Sequence, residues 1–173
     1  ARDNYNWIRH AGQNNLVIGT RARMLYQDAS GRIAISLRFN EMVRKGEVGP
    51  IMIGRDHHDT GGADGPTRET SNVRDGSNVT ADMSAHCFVG DAARGMTFVS
   101  LQNGGGVGIG RSIQCGFSLL LDGSGRVDEI IRNGIQWDVM GGVARRSWAR
   151  NENAIQVAAE HNLNTSDCIT LPW

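Results

Sequence analysis

The strongest constraint on the fold is a glycine-rich segment between two apolar runs. The run "MTFVSL" (96–101) predicts one strand and "FSLLLDG" (117–123) predicts another. Between them, "LQNGGGVGIGRSIQCG" (101–116) holds six glycines in sixteen positions. Because glycine at this density costs backbone entropy on folding, something should require a backbone without side chains there. A strand followed by such a turn lets backbone N–H groups approach a phosphate or a cofactor ring; a purely structural turn is the alternative.

The glycine pattern itself does not match the common phosphate-binding motifs. Its order is G-G-G-V-G-I-G, and Ile109 and Arg111 rule out both frames of the G-x-G-x-x-G dinucleotide fingerprint. No G-K-[ST] follows, so the segment is not a P-loop. The pattern alone therefore leaves a ligand-binding loop and a structural turn both open.

Helical and strand-like patterns alternate along the rest of the chain. This alternation predicts an α/β or mixed α+β class, with a short central sheet flanked by helices in a three-layer-like domain. The first long helix is expected over 30–46, with Asp28 or Ser30 as its cap and Gly46 at its end. The other expected helices are 82–95, 126–140 and 142–162, and the other expected strands are 16–19, 21–28 and a buried strand at 50–54.

Composition narrows the class of protein. A chain of 173 residues suits one domain, and its formal net charge of zero argues against a general nucleic-acid binder. The sequence shows no apolar membrane span and no signal peptide in its polar first 15 residues. Its cysteines, Cys87, Cys115 and Cys168, form no C-x-x-C pair, which speaks against zinc and disulfide frameworks and favours a reducing, cytoplasmic setting. We expect them to be small buried residues, with a reactive thiol as the alternative for Cys115.

A second candidate site is the polar segment 54–77, "GRDHHDTGGADGPTRETSNVRDGS", which follows the strand at 50–54. Loops at strand ends are where α/β proteins place their sites. Metal binding by the D-H-H-D stretch is disfavoured, because His57 and His58 would point to opposite sides of an extended chain. Acid–base chemistry fits better, since carboxylates here stand beside imidazoles and arginines. The alternative is a set of loop caps and surface ion pairs.

Together, these stretches resemble one family. Residues 49–77, 81–110 ("ADMSAHCFVGDAARGMTFVSLQNGGGVGIG") and 116–124 ("GFSLLLDGS") are similar to the C-terminal region of the urocanases. The stretches "GGVARRSW" (141–148) and "TLP" (170–172) resemble the branch found in eukaryotes and some bacteria. The resemblance implies that residues 1–173 are a single domain of a longer chain, without the family's N-terminal core and NAD-binding domain.

The resemblance also implies a reaction. Urocanases use tightly bound NAD as an electrophile when they add water to urocanate, which gives imidazolone propionate in histidine degradation. They are cytoplasmic homodimers that act on a small molecule, with neither nucleic acid nor membrane as a partner. The chain alone is expected to be inactive, because the remainder of a urocanase chain would have to complete the site.

The family's functional residues map onto both candidate segments. The glycine loop matches an NAD contact formed by Gly104, Gly105 and Gly106, and Gly106 is the best match. Arg68 in "TRET" matches an active-site arginine suited to gripping the substrate carboxylate. Asp59 in "DHHD" matches a carboxylate that can handle a proton, and His57 belongs to the same region.

Three positions depart from the family pattern. Leu25 stands where bacterial members carry a cysteine, Gln102 where histidine is common, and Cys115 where glycine is usual. Gln102 cannot titrate near neutral pH, so any proton transfer by that imidazole would be lost. The departures leave two alternatives open: a hydratase of a modified urocanate such as a thio-substituted one, or a non-catalytic structural module.

Overall fold

The computed structural model describes residues 9–10, 12–13, 27–54, 82–103, 113–148, 150–166 and 168–172. In chain order the elements are α1 (Ala29–Arg44), β1 (Ile51–Gly54), α2 (Asp82–Ala93), β2 (Phe98–Asn103), β3 (Ile113–Leu121), α3 (Gly125–Ile130), a π-helical turn (Ile131–Ile135), α4 (Gln136–Trp148) and α5 (Glu152–Asn164). The predicted mixed α/β class with a short sheet is confirmed. The predicted strands at 16–19 and 21–28 lie outside the described residues, apart from Gln27 and Asp28, which are not in a strand.

Residues with special backbone roles set the ends of the first two helices. Asp28 caps α1 by accepting a 2.7 Å hydrogen bond from the N–H of Gly31. Of the two predicted cap residues, the N-cap is therefore Asp28 and not Ser30. Beyond the C-terminal ends of α1 and α2, Gly46 and Gly95 adopt positive φ angles of 71° and 87°. Only glycine adopts this conformation easily, which explains why the helices end where the sequence predicts.

Within the described residues, the sheet has three strands in the order β1-β3-β2, and both β1 and β2 run antiparallel to β3. Ile51 pairs with Leu121 in one ladder, and Asn103 pairs with Ile113 in the other. β3 begins at Ile113, four residues before the predicted strand, because pairing with β2 continues to Asn103.

The core lies on one face of this sheet. Phe117, Leu119 and Leu121 of β3 are buried there against residues of α3 and the π-helical turn, namely Val127, Ile130, Ile131 and Ile135. Burial of each such side chain stabilises the fold by about 1.5–3 kcal/mol. On the opposite face of the described sheet, Met52, Phe98 and Leu120 are exposed. The expectation of a buried strand at 50–54 was wrong, because the residues of β1 alternate between half-buried and exposed, and among the described strands β1 pairs only with β3.

The C-terminal helices differ from the prediction in where they break. Helical structure runs from Gly125 to Trp148 through the π-helical turn, and Gly142 is buried within α4 rather than starting a new helix. The break comes at Arg150, whose φ is 65°, and Asn151 then caps α5 by accepting a 3.0 Å hydrogen bond from the N–H of Ala154. None of the helices in the described part of the chain is long and apolar enough to cross a membrane.

A buried amide joins α1 to the turn after β3. The fully buried Asn40 accepts a 2.8 Å hydrogen bond from the N–H of Gly123 and donates to Ser124 O (3.0 Å) and Asp128 Oδ1 (2.7 Å). Arg44 donates through Nε to Gly123 O at 2.6 Å and forms an ion pair with Asp128. These contacts fix the direction in which α3 leaves the sheet.

Candidate functional site

The sequence-predicted site residues lie outside the described part of the chain. This holds for the proposed catalytic residues His57, Asp59 and Arg68 and for the NAD-contacting range Gly104–Gly106. Their roles stay predictions. The structure does show where the chain leaves the sheet just before each of the two segments.

Both segments leave the sheet in the same direction, from different levels along β3. Because β1 and β2 each run antiparallel to β3, they run in the same direction, and their last residues, Gly54 and Asn103, point towards the same end of the sheet. Gly54 and Phe98 both pair with Ser118, and β2 continues five residues beyond that level to Asn103. At about 3.4 Å per residue, the two exits are separated by about 17 Å along the strand direction.

The exit from β1 has no room for a side chain. A Cβ on Gly54 would lie 2.9 Å from Ser118 Oγ and 3.0 Å from the carbonyl oxygen of Phe117. Glycine at the last residue of β1 therefore lets Ser118 and the backbone of Phe117 approach closely.

A second group of reactive side chains is buried between the sheet and the helices. Cys87 and Asp91 lie on α2, Asp138 lies on α4 and Cys115 lies on β3, and each is at most 4% exposed. Cys87 Sγ lies 3.6 Å from Asp138 Oδ1 and 3.9 Å from Asp91 Oδ2. One ligand atom from each of Cys87, Asp91 and Asp138 lies within 4.8 Å of the other two. We call these three residues and Cys115 the thiol–carboxylate cluster.

The environment of the cluster keeps the Cys87 thiol protonated. A hydrogen bond with Cys115 raises the pKa of Cys87, and burial and the carboxylates of Asp138 and Asp91 raise it further. Since the thiolate is the nucleophilic form, Cys87 is not a nucleophile in this state. The predicted burial of Cys87 and Cys115 is confirmed, whereas that of Cys168 was wrong, because Cys168 lies exposed in the segment after α5.

An indole ring holds α2 against α4 beside the cluster. Trp137 Nε1 donates a 3.4 Å hydrogen bond to the carbonyl oxygen of Cys87, and the Arg94 guanidinium lies 4.1 Å from the centroid of the Trp137 ring. The indole packs directly over Gly90, where a Cβ would overlap the ring. These contacts fix the spacing of the two helices that carry Cys87, Asp91 and Asp138.

Only part of the thiol–carboxylate cluster has a signal in the sequence. Cys87 and Asp91 are four residues apart on a helix, which places them on the same face. Asp138 and Cys115 are distant in sequence and reach Cys87 only through the packing of α4 and β3. The spacing rules for cysteines, which look for C-x-x-C pairs, could not find such a group.

The comparison with known families gives one match that covers most of the chain. Residues 1–160 match the urocanase C-terminal domain. Urocanate hydratase of Mus musculus is 46% identical over 172 residues, and the probable urocanate hydratase of Dictyostelium discoideum is 47% identical over 174 residues. These alignments cover 98% of this chain but only 25% and 26% of the two relatives. The probable urocanate hydratase of Caenorhabditis elegans is 51% identical over 153 residues. The chain thus spans about a quarter of the length of the curated relatives it matches.

Proposed function

This chain belongs to the urocanase C-terminal domain family, and from that premise we propose that it is the C-terminal part of an enzyme that adds water to urocanate to give imidazolone propionate. The observation that carries the proposal is the alignment of 98% of the chain, at 46% identity, with a relative named urocanate hydratase. We propose that residues 1–173 form a single domain of such an enzyme, with the N-terminal core and the NAD-binding domain supplied by the remainder of the chain.

The proposed roles follow the chemistry of the side chains. Arg68 grips the propenoate carboxylate of the substrate through two parallel N–H donors. Asp59 exchanges a proton near the reacting atoms, and His57 assists in the same region. The shared exit direction of β1 and β2 supports this assignment, because both functional segments start towards the same end of the sheet.

The proposal includes NAD as the cofactor, which would supply an electrophilic ring when bound. Gly104–Gly106 would hold it, because a backbone without side chains can come close to a phosphate or a ring. The described strand β2 leads directly into this range, since its last residue is Asn103. A cytoplasmic location and a homodimeric state belong to the same proposal and rest on the family resemblance alone.

The test is turnover of urocanate by the full-length protein that contains this chain. Urocanate is followed by its ultraviolet absorbance, retained NAD is measured in the same sample, and the 173-residue chain is assayed in parallel. We expect turnover by the full-length protein and none by the chain alone. Arg68→Lys should raise KM for urocanate by about tenfold or more, because lysine cannot form the paired hydrogen bonds. Arg74→Lys, in the same polar segment, is the matched control and should leave KM unchanged.

Two other outcomes would contradict the proposal in different ways. A full-length protein that retains NAD but leaves urocanate intact would favour a modified urocanate, such as a thio-substituted one. The predicted departures at Gln102 and Cys115 favour this alternative. A folded full-length protein without NAD and without turnover would favour a non-catalytic structural module.

A further inference from the structure

The thiol–carboxylate cluster is the strongest candidate for a second site in the described residues. It combines two sulfur and two carboxylate donors from three different elements, α2, β3 and α4. Asp91 and Cys115 are 0% exposed, Asp138 is 1% exposed and Cys87 is 4% exposed. Groups of this kind seldom lie buried together unless they hydrogen-bond or bind a metal ion. None of them is among the residues assigned to urocanate or NAD.

The two sulfur–oxygen distances in the cluster match those around a tetrahedral metal ion. Zinc bonds to sulfur at about 2.3 Å and to oxygen at about 2.0–2.2 Å, so a sulfur and an oxygen donor lie about 3.5–3.7 Å apart around it. Cys87 Sγ lies 3.6 Å from Asp138 Oδ1 and 3.9 Å from Asp91 Oδ2. Both sulfur–oxygen distances therefore lie within a few tenths of an ångström of those around a tetrahedral zinc ion, and the three ligand atoms lie within 4.8 Å of one another.

The donor types indicate which ion fits. Thiolate favours soft or borderline ions, while carboxylate alone favours hard ions such as magnesium and calcium. A mixed set of sulfur and carboxylate oxygen is suited to zinc. Cys115 is hydrogen-bonded to Cys87 and is placed to orient that ligand or to add a second sulfur.

We propose that Cys87, Asp91 and Asp138 form a zinc site, with Cys115 as a positioning residue beside Cys87. Binding replaces the S–H bond of Cys87 with a sulfur–zinc bond and releases one proton to the solvent. The ion links α2 to α4 on the helix-covered face of β3, the strand that follows the glycine loop. This role is independent of urocanate turnover, so a negative result for the zinc site would not contradict the proposed function, and the reverse also holds.

The test uses the full-length protein that contains this chain, purified with a phosphine reductant and without chelators. Zinc binding is measured by equilibrium dialysis with elemental analysis, and cobalt(II) serves as a spectroscopic probe of the same site. We expect one zinc per chain, a cobalt–thiolate charge-transfer band in the near ultraviolet and a zinc-dependent rise in Tm. Cys87→Ser and Asp138→Asn should each weaken zinc binding by at least about tenfold, and Cys115→Ala by about tenfold. The exposed Cys168→Ser is the matched control and should keep the wild-type affinity.

Wild-type chain gives the decisive result even if a variant fails to fold. If far-ultraviolet circular dichroism shows helices and the chain binds no zinc, the site does not exist. A cobalt spectrum without a thiolate band would likewise overturn the assignment of Cys87 as a ligand. Equal zinc affinity in Cys87→Ser and Cys168→Ser would have the same consequence.

Discussion

Alanine substitution at two glycines inside helices should change the free energy of unfolding in opposite directions. Replacing a helix-interior glycine with alanine ordinarily stabilises a protein by about 1 kcal/mol, through the higher helix propensity of alanine. Gly141 in α4 meets this condition, because a Cβ there would have no atom within 4 Å. At Gly90 in α2, a Cβ would lie 2.5 Å from Cζ2 of Trp137 and closer still to Nε1 and Cε2. The indole would have to move, and such overpacking costs about 1–3 kcal/mol.

Movement of the Trp137 indole adds further free-energy costs to the overpacking. Trp137 would lose its hydrogen bond to the carbonyl oxygen of Cys87, worth about 1 kcal/mol, and its stacking with Arg94, worth about 0.5–1 kcal/mol. After the helix-propensity gain is subtracted, we expect Gly90→Ala to destabilise the chain by about 2–4 kcal/mol. This corresponds to a fall in Tm of roughly 5–15 °C for a chain of this size. Gly141→Ala should raise Tm by roughly 1–4 °C.

The assay is thermal and urea unfolding of the two variants beside wild type, followed by far-ultraviolet circular dichroism. The difference in tryptophan fluorescence between each variant and wild type gives a second readout, because the Trp137 indole changes its surroundings in Gly90→Ala and not in Gly141→Ala. If Gly90→Ala stabilises the protein as much as Gly141→Ala does, the packing of α2 on α4 is not as described. The geometry of the thiol–carboxylate cluster would then lose its support as well.

Two further predictions concern the contacts around the buried amide of α1. Asn40→Ala should lower the free energy of unfolding by about 3 kcal/mol, because it removes three hydrogen bonds and leaves the N–H of Gly123 buried without its acceptor. Urea unfolding measures this loss, and the control Asn164→Ala, at an exposed position, should lower the free energy of unfolding by less than about 1 kcal/mol. Equal losses at both positions would contradict the prediction. Burial raises the pKa of Asp128, but hydrogen bonds from Asn40 and Arg44 lower it by more, so its folded pKa lies below the unfolded value of about 3.9. The stabilisation from the Asp128 carboxylate is therefore fully present above the unfolded pKa and is lost as the pH falls through the folded pKa. Below about pH 4, the free energy of unfolding should fall more steeply for wild type than for Asp128→Asn. Parallel curves of stability against pH would refute this.

The sequence predicts the parts of the fold that depend on local backbone chemistry. Asp28 can cap a helix by itself, and Gly46 and Gly95 can end helices because they accept positive φ angles. The break at 141–142 was predicted wrongly, because two adjacent glycines usually weaken a helix. There, Gly142 is buried inside α4, and tertiary packing outweighs the low helix propensity of glycine.

The candidate sites also differ in how far local sequence predicts them. His57, Asp59 and Arg68 could be singled out because they stand in one segment whose residue types suggest chemistry, and the family resemblance supplies their roles. The thiol–carboxylate cluster could not be predicted, because its members come from residues 87, 91, 115 and 138 and meet only when α4 and β3 pack against α2. Helix–helix contacts of this kind depend on the whole fold and leave no local pattern.

Two of the predicted departures from the family pattern, Cys115 and Gln102, lie on opposite faces of the sheet and call for separate explanations. Cys115 pairs with Leu101 across the β2–β3 ladder and is buried on the helix side, hydrogen-bonded to Cys87. Gln102 follows Leu101 on β2, so its side chain faces the other side, as does that of Phe98. Cys115 therefore belongs with the zinc site, whereas Gln102 stands at the strand end that leads into the glycine loop.

Variants at these two positions should act on different measurements. We expect Cys115→Ala to weaken zinc binding by about tenfold and Gln102→His to leave zinc affinity unchanged. In the full-length protein, Gln102→His adds a group that titrates near neutral pH, so it should change the pH profile of turnover. If Gln102→His also weakened zinc binding, the two faces of the sheet would be coupled and the separate explanations would fail. If neither variant changed either measurement, both departures would be neutral substitutions and would no longer favour a modified substrate.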